Sequence, residues 1–167
     1  MDPSSVRLEP VGPERRDVVH NLVQLYRHDL SEFRGYELDD QGTYAYDYLD
    51  AFLGDSDREA YLVRVEDSLA GFVFTHRHPD GVWQVSELFV VRPHRRSGVG
   101  RVALTKTFEL HPGKWMCFVD ELNEASRRLC DGVLEERAED TKVRRRRNRL
   151  GFVGTARRFT ISGPDRG

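Results

Sequence analysis

A short loop rich in arginine and glycine is the part of this sequence best suited to bind an anion. It runs from Arg95 to Arg101 (RRSGVGR), between a β-branched and aromatic segment and a segment whose apolar residues recur at helical spacing. A loop that opens a helix aims several backbone N–H groups and the positive end of the helix dipole at one point. Gly98 and Gly100 suit such a site because a Cβ atom at either position would hold an anion away from these amides. The pattern predicts a phosphate or diphosphate site.

A single carboxylate precedes this loop on the same predicted strand. Glu87 lies eight residues before Arg95, and strand alternation predicts that it shares a face with Val85 and Phe89. A carboxylate beside a bound substrate can accept a proton as a general base. Glu87 is therefore a candidate base. The alternatives are a carboxylate that pairs with an arginine or one that orients a charged amine.

With these flanks, the chain resembles the GNAT N-acetyltransferase superfamily, whose acyl-CoA diphosphate lies on such a loop between the fourth strand and the third helix. The resemblance spans about Leu22 to Phe152 and is strongest from Val85 to Asn123. It implies an α/β (α+β) fold with a mixed, mostly antiparallel, twisted sheet that is splayed at strands 4 and 5 and flanked by helices.

The resemblance also implies an activity and a set of site residues. The activity is N-acyl transfer from acetyl-CoA or another acyl-CoA to a primary amine, by direct attack in a ternary complex with Glu87 as the catalytic residue. The residues expected to bind the cofactor are Phe89, Val90, Val91, Arg95, Arg96, Ser97, Gly98, Val99, Gly100, Arg101 and Asn123. In the family, main-chain amides of this strand polarise the acyl carbonyl, so the first three act through their backbone.

A second motif of the family is only partly present. Asn123 is kept, but Ser126 replaces a small apolar residue, and Cys130 stands where the family usually has an aromatic residue, often a tyrosine that protonates the leaving thiolate. The assignment of a general acid therefore does not carry over. We interpret Cys130 as a buried structural thiol, with an acid or a nucleophile as the alternative.

Acidic and phenolic residues of the first two predicted helices lie in the region that covers the acceptor side in this fold. Such groups favour a cationic amine, although core packing explains most of the tyrosines equally well. We expect Tyr26, Asp29 and Tyr44 to bind the substrate, with Glu32, Tyr46 and Tyr48 as further candidates. Small amines, amino acids, antibiotics, biosynthetic intermediates and protein lysines all fit this description.

Positive charge is concentrated near the C-terminus. Residues 140–167 carry nine Lys or Arg against two Asp, although the chain as a whole has a net charge of −2. Six of these cations fall within residues 142–149, in what the resemblance suggests is a basic insertion at about 134–149. The segment is either a solvated or disordered surface run or a contact for a phosphate backbone. The candidate RNA-binding residues are Lys142, Arg144, Arg145, Arg146, Arg147 and Arg149.

Two further functions follow from this charge and from the loss of the aromatic residue. The first is a GNAT-fold aminoacyltransferase that takes its acyl group from aminoacyl-tRNA, with the basic segment bound to the tRNA. The second is a catalytically degenerate GNAT domain that serves as a nucleic-acid-binding or interaction module, which the presence of Cys130 favours.

The elements that must position these groups follow from apolar periodicity. Helices are predicted at about 18–30, 44–53, 99–110 and 123–138, and strands at 60–65, 70–76, 83–91, 115–119 and 151–161. The length of 167 residues predicts a single domain, residues 1–167.

Composition narrows the class of protein further. The two cysteines lack metal-site spacing, so no metal is predicted, and no apolar run reaches the ~18 residues of a membrane span. The N-terminus lacks a signal-peptide pattern. We expect a soluble cytoplasmic protein that takes a small-molecule amine and does not enter a membrane. The sequence leaves the oligomeric state open, although the fold that the resemblance implies often forms homodimers.

Overall fold

The computed structural model describes residues 2–163, which contain four α-helices and seven β-strands. The helices are α1 (Arg16–Arg34), α2 (Leu49–Gly54), α3 (Val99–Leu110) and α4 (Glu124–Arg137). The strands are β1 (Val6–Pro10), β2 (Arg58–Val65), β3 (Ser68–Arg77), β4 (Trp83–Val90), β5 (Gly113–Asp120), β6 (Glu139–Arg147) and β7 (Val153–Ile161). No helix in the described range is long and apolar enough to cross a bilayer.

All seven strands form one sheet, in the order β1-β2-β3-β4-β5-β7-β6. Every neighbouring pair is antiparallel except β4 and β5, which are parallel. These two strands pair only where Trp83–Val85 lies beside Trp115–Cys117, so they part over the rest of β4. The predicted fold, a mostly antiparallel sheet splayed between strands 4 and 5, is confirmed.

The two faces of the sheet carry separate layers of helix. On one face, α1 and α2 pack on aromatic residues of β3 and β4, with Phe72, Phe74 and Phe89 all buried. On the other face, α4 and α3 cover β5, where Trp115 is 1% exposed and packs against Phe108. Burial of these large apolar side chains supplies most of the stabilisation. The splay between β4 and β5 therefore lies between two packed half-cores.

A β-bulge in β4 changes which residues face which layer. Phe74 of β3 pairs with Glu87, but the next residue, Thr75, pairs with Val85, so Ser86 has no residue opposite. As a result Glu87 faces α1, whereas Val85 packs into the α3–α4 side. The simple alternation that put these two residues on one face is therefore wrong, because one extra residue reverses the facing.

The second predicted helix is shorter than expected. Only Leu49–Gly54 is helical, and the residues before it form turns and irregular backbone. The side chain of Gln24 in α1 explains this difference, because it bonds both main-chain groups of Tyr44, donating to its carbonyl at 2.9 Å and accepting from its N–H at 2.7 Å. These bonds satisfy the backbone without a helical turn.

The basic segment forms regular structure. The end of α4 and the strand β6 occupy most of residues 134–149, which we expected as an insertion, and β6 pairs with β7 along its length. All nine residues of β6 are exposed, and β6 is the last strand of the sheet. A solvated cationic edge is a common way to prevent unwanted strand pairing.

The close approach of β3 and β4 predicts a large effect of one glycine on stability. A Cβ added at Gly71 would lie 1.9 Å from the main-chain oxygen of Phe89. Gly71→Ala must force the two strands apart, and we expect it to lower the free energy of unfolding by about 3 kcal/mol in urea denaturation. The control is Gly54→Ala, whose Cβ would meet nothing within 4 Å. Equal stabilities of the two variants would contradict this packing argument.

Candidate active site

Glu87 lies on β4 just past the point where β5 departs, and two tyrosine hydroxyls hold its carboxylate. Tyr26 of α1 donates to one oxygen and Tyr46 donates to the other at 3.3 Å. Burial raises the pKa of Glu87 to about 7, although the hydrogen bonds from both tyrosines and the positive charge of Arg27 lower it. A carboxylate with a pKa near neutrality is suited to accept a proton from an amine.

The same cluster keeps both tyrosines protonated. Burial, together with the nearby charge of Glu87, raises the pKa of Tyr26 well above its ordinary value, and the pKa of Tyr46 is raised for the same reasons. Both hydroxyls therefore act as hydrogen-bond donors across the neutral pH range. Sequence reasoning placed Tyr46 only among the further acceptor candidates, and the structure brings it to Glu87.

Arg27 fixes the loop that carries Tyr46. Its guanidinium lies 3.8 Å from the ring centroid of Tyr36 and 5.7 Å from that of Tyr46, and it donates to the carbonyl of Ala45 at 3.0 Å. These contacts hold the segment before α2 against α1. No spacing pattern in the sequence marks Arg27, which follows Tyr26 directly.

A second pair of residues links α1 to the far side of the gap. Arg34, near the end of α1, pairs with Asp120 at the end of β5, and its guanidinium lies 3.5 Å from the ring centroid of Phe152. Both charged side chains are mostly buried. The contact joins segments more than 80 residues apart, so no local pattern predicted it.

The glycine loop opens α3 as the sequence predicted, and the backbone gives each of the two glycines a structural role in addition to the predicted anion site, which stays a prediction. Gly98 caps α3 with φ of 90°, a conformation that a Cβ disfavours, although a Cβ there would meet nothing within 4 Å. A Cβ at Gly100 would lie 3.3 Å from Leu129 of α4, so glycine allows the two helices to pack closely. The first-turn N–H groups of α3 lack intrahelical acceptors.

Arg95 reaches back from the loop to the splayed strand. Its Nε donates to the carbonyl of Val90 at 2.7 Å, and its guanidinium pairs with Asp29 and lies 5.4 Å from the ring centroid of Phe89. Asp29, which we expected at the acceptor site, also pairs with Arg92 at 2.8 Å. Burial raises the pKa of Asp29, but hydrogen bonds from both arginines hold it below its usual value. These ion pairs tie α1 to the loop.

The other predicted cofactor residues of the loop differ in their positions. Val99 is buried at the start of α3, while Arg96 and Ser97 are exposed on the loop, where Ser97 donates to the carbonyl of His94 at 2.8 Å. Arg101 faces α4 and pairs with Glu136, away from the loop.

Two more predicted residues have structural partners. Asn123 caps α4, because its side-chain oxygen accepts from the N–H of Ser126 at 3.0 Å. Tyr44 lies beside His28, with its hydroxyl 3.1 Å from a ring nitrogen. Tyr44 has no contact with Glu87 in the described part of the chain, so of the three expected acceptor residues only Tyr26 is brought to the carboxylate.

The two cysteines lie together between β5 and α4. The sulfur of Cys130 is 3.0 Å from that of Cys117, and both thiols are buried and free. Their hydrogen bond raises the pKa of Cys117 and lowers that of Cys130. This placement agrees with the interpretation of Cys130 as a buried thiol.

The candidate RNA-binding residues do not share one surface. Arg145 donates to Glu121 at 2.9 Å and Arg147 bonds the carbonyl of Gly151. Register with β7 puts Lys142, Arg144 and Arg146 on the opposite face of β6 from these two. Arg149 lies exposed in the turn that follows β6.

A cavity of about 520 Å³ lies at the other end of β4, away from Glu87. Its lining includes Trp83 and His111, whose rings stack with centroids 3.8 Å apart. Glu87 and the glycine loop, the candidate site residues, therefore lie outside this cavity, along the gap that opens between β4 and β5.

Comparison with known proteins agrees with this geometry. Residues 22–131 match the sequence profile of the Acetyltransferase (GNAT) family. No curated protein matches the sequence. The matched range includes β4, the glycine loop and the part of α4 up to Asp131, but not β6 or β7.

Several solved structures share the fold at low sequence identity. A spermidine N-acetyltransferase from Vibrio cholerae, in complex with CoA and spermine, is 15% identical with a TM-score of 0.63, covering 95% of this chain and 96% of that one. The ribosomal-protein-S18-alanine N-acetyltransferase from Escherichia coli is 13% identical with a TM-score of 0.62 and 97% coverage of both chains. An acetyltransferase from Thermus thermophilus is 17% identical with a TM-score of 0.65, covering 93% of this chain and 97% of that one. At such identities the likeness shows the fold alone.

Proposed function

This chain belongs to the acetyltransferase (GNAT) family, and from that premise we propose that it transfers an acyl group from acetyl-CoA or a related acyl-CoA to a primary amine. The amine attacks directly while donor and acceptor are both bound. The observation that carries the proposal is the position of Glu87, held by Tyr26 and Tyr46 at the mouth of the gap between β4 and β5. A cytoplasmic location and a homodimer remain predictions.

The residues around the glycine loop fit an acyl-CoA. Gly98 has open space above it and no side chain to satisfy the first-turn N–H groups of α3, which leaves them for a diphosphate. On the side away from β3, the main chain of β4 beyond Val85 pairs with no strand in the described residues, and apart from the Val90 carbonyl, which accepts from Arg95, it is open to a linear ligand. When bound there, an acyl-CoA supplies the acyl group as a reactive thioester.

Glu87 would do the proton chemistry on the acceptor side. An alkylammonium group must lose a proton before its nitrogen can attack, and a carboxylate with a pKa of about 7 takes that proton at neutral pH. Tyr26 and Tyr46 orient the carboxylate and favour its charged form. The structure offers no aromatic residue at position 130 as an acid for the leaving thiolate.

A two-step experiment tests this function. Thermal shift with CoA should raise the melting temperature, since a ligand that binds only the folded state stabilises it. Release of free CoA from acetyl-CoA is then followed with a panel of small amines, amino acids and peptides. Binding of CoA with turnover of an amine supports the proposal. Salt-sensitive tRNA binding without CoA binding would favour an aminoacyl-tRNA donor, and no turnover with any donor would favour an interaction module.

Removal of the Tyr26 hydroxyl predicts a shift in the pH profile. The hydrogen bond from Tyr26 favours the charged form of Glu87 and lowers its pKa, so Tyr26→Phe should raise that pKa. Because the base must be deprotonated to act, the rising limb of kcat/KM should move to higher pH, with activity lost at pH 7 and regained above it.

The matched control is Tyr61→Phe. The Tyr61 hydroxyl donates at 2.8 Å to Glu59, a carboxylate on the opposite face of the sheet from Glu87. This variant should leave the rising limb where it is in the wild type. An unmoved limb in Tyr26→Phe would show that Glu87 does not control the profile.

A further inference from the structure

One face of the sheet carries a group of exposed basic side chains on β6 and β7, on the far side of the gap between β4 and β5. In the register of the sheet, Lys142 pairs with Arg158, and Arg144 and Arg146 follow at alternate positions along β6. Alternate residues of a strand share a face, so these four side chains lie together. All four are exposed. We call them the cationic shelf.

The cationic shelf has no ion pair within residues 2–163. Other arginines nearby are engaged, because Arg145 bonds Glu121 across the other face of β6 and Arg157 bonds Asp131 of α4 at 2.6 Å. The register places two strand carboxylates on this side: Glu139, at the start of β6, accepts from the hydroxyl of Ser162, and Asp120, at the end of β5, pairs with Arg34. Four exposed positive charges on one surface are therefore left for a partner.

The cationic shelf lies on the same face of the sheet as Glu87. Register carries Val85 of β4 through Cys117 and Arg157 to Val143, so a residue two places along β4 is level with Arg145. The bulge at Ser86 shifts Glu87 to the face that carries Arg144 and Arg146, on either side of that level. Three strand intervals separate them, and because β4 and β5 part beyond Val85 the distance is more than the ~14 Å that three paired intervals of ~4.8 Å would give. Helices α1 and α2 cover the β2–β4 part of this face, and the end of α1 reaches Asp120 of β5 through Arg34, while the four side chains of the shelf remain exposed.

From this arrangement we infer that the acceptor is a polypeptide whose amine lies a few residues from an acidic segment, with the segment bound on the cationic shelf while the amine reaches Glu87. The inference rests on the proposed function and adds the class of acceptor to it. An extended chain covers ~3.3–3.6 Å per residue, so at least about five residues are needed to span the distance. An acidic segment should begin that far from the reactive amine.

Three features favour an acidic polypeptide over other partners. Carboxylates at alternate positions of an extended peptide repeat at the same rise as the cations of β6. A polyamine, such as the spermine bound by the V. cholerae relative, would be repelled by the shelf. The basic run is split between two faces of β6, so a nucleic acid on either face would meet only part of it. In addition, a polypeptide carries its own primary amine, which the proposed reaction requires.

Two lysine-containing peptides test the inference. In one peptide, four consecutive glutamates begin five residues after the lysine, and in the other glutamines replace them. Binding in the presence of CoA is measured by fluorescence anisotropy, and transfer is measured from acetyl-CoA. We expect the acidic peptide to bind and react about tenfold better at low salt and to lose this advantage near ~0.5 M salt.

The variant Arg144→Gln/Arg146→Gln should reduce that preference about fivefold. It should leave the binding and turnover of the glutamine peptide, and the thermal shift with CoA, unchanged. Its control is Arg7→Gln/Arg16→Gln, which removes two exposed arginines, one from the opposite edge strand β1 and one from the start of α1. The control should keep the full preference. A variant Arg144→Glu/Arg146→Glu should reverse it toward a lysine-rich peptide.

The outcomes separate the inference from the proposed function. Equal binding of the acidic and neutral peptides, or faster turnover of spermidine than of either, would overturn the inference while transfer itself stands. Competition by total tRNA that depends on Arg144 and Arg146, without any peptide preference, would assign the shelf to RNA instead. Shelf-dependent peptide binding with no acyl transfer would contradict the proposed function and leave the preference of the shelf for acidic chains established.

Discussion

Replacing Glu87 with glutamine is expected to lower kcat by about 10²- to 10⁴-fold, the range typical for loss of a general base. Glutamine keeps the shape of the side chain, and its one oxygen still accepts a hydrogen bond from one of the two tyrosines, but it cannot take a proton. KM for the acyl-CoA should change little, because the glycine loop is formed by other residues. The measurement is steady-state CoA release with the best acceptor found in the panel.

The pH profile gives a second readout of the same variant. In the wild type, kcat/KM should rise through the pKa of Glu87, about 7, because only the deprotonated carboxylate accepts a proton. In Glu87→Gln this limb should disappear, and the remaining activity should follow only the ionisation of the free amine. A merely structural role for Glu87 would lower activity without removing the limb.

Glu59 offers a matched control for this substitution. Its carboxylate accepts from the Tyr61 hydroxyl at 2.8 Å and lies 2.8 Å from a ring nitrogen of His111, on the face of the sheet opposite to Glu87. Glu59→Gln removes one similarly placed negative charge and should leave kcat within about twofold. If Glu87→Gln kept full turnover across the pH range, Glu87 would be removed from the mechanism.

The parts of this site that the sequence predicted are those fixed by neighbouring residues. The strand, the glycine loop and α3 follow one another directly, so their order, together with the left-handed backbone at Gly98, could be expected from residue types alone. Glu87 was found from its distance to this loop. The face of the sheet on which Glu87 lies was not predicted correctly, because the bulge at Ser86 depends on how β4 pairs with β3.

Other features depend on segments that are distant in the sequence. The contact of Arg34 with Asp120 forms only after α1 and β5 meet across the sheet. The short form of α2 depends on Gln24, which lies about twenty residues before the backbone that it bonds. Periodicity describes each segment alone and cannot report such partners.

The basic run shows how a charge argument can miss regular structure. Six cations within eight residues suggested a solvated or disordered surface because like charges repel. In a strand, however, successive side chains point to opposite faces, so Arg144 and Arg145 are separated by the sheet. Pairing of β6 with β7 then satisfies the backbone groups on one side of this edge strand, and the charged side chains stay in water.

Placing a carboxylate in the glycine loop is expected to abolish donor binding. Gly98→Asp puts a negative charge beside the first-turn N–H groups of α3, where it repels a diphosphate and competes for the same donors. We expect the Kd for CoA to rise at least about 100-fold by isothermal titration calorimetry. The fold should be kept, because a Cβ at Gly98 meets nothing within 4 Å.

Gly98→Asn separates this charge effect from the backbone effect. Asparagine has nearly the same shape as aspartate, carries no charge and tolerates the left-handed conformation that Gly98 adopts with φ of 90°. Its Kd for CoA should rise about tenfold or less, so the ratio of the two variants isolates the electrostatic part. That ratio should shrink as salt is added. If both variants bound CoA as tightly as the wild type, the anion site would have to lie elsewhere, because no diphosphate could rest on these amides and ignore an adjacent carboxylate.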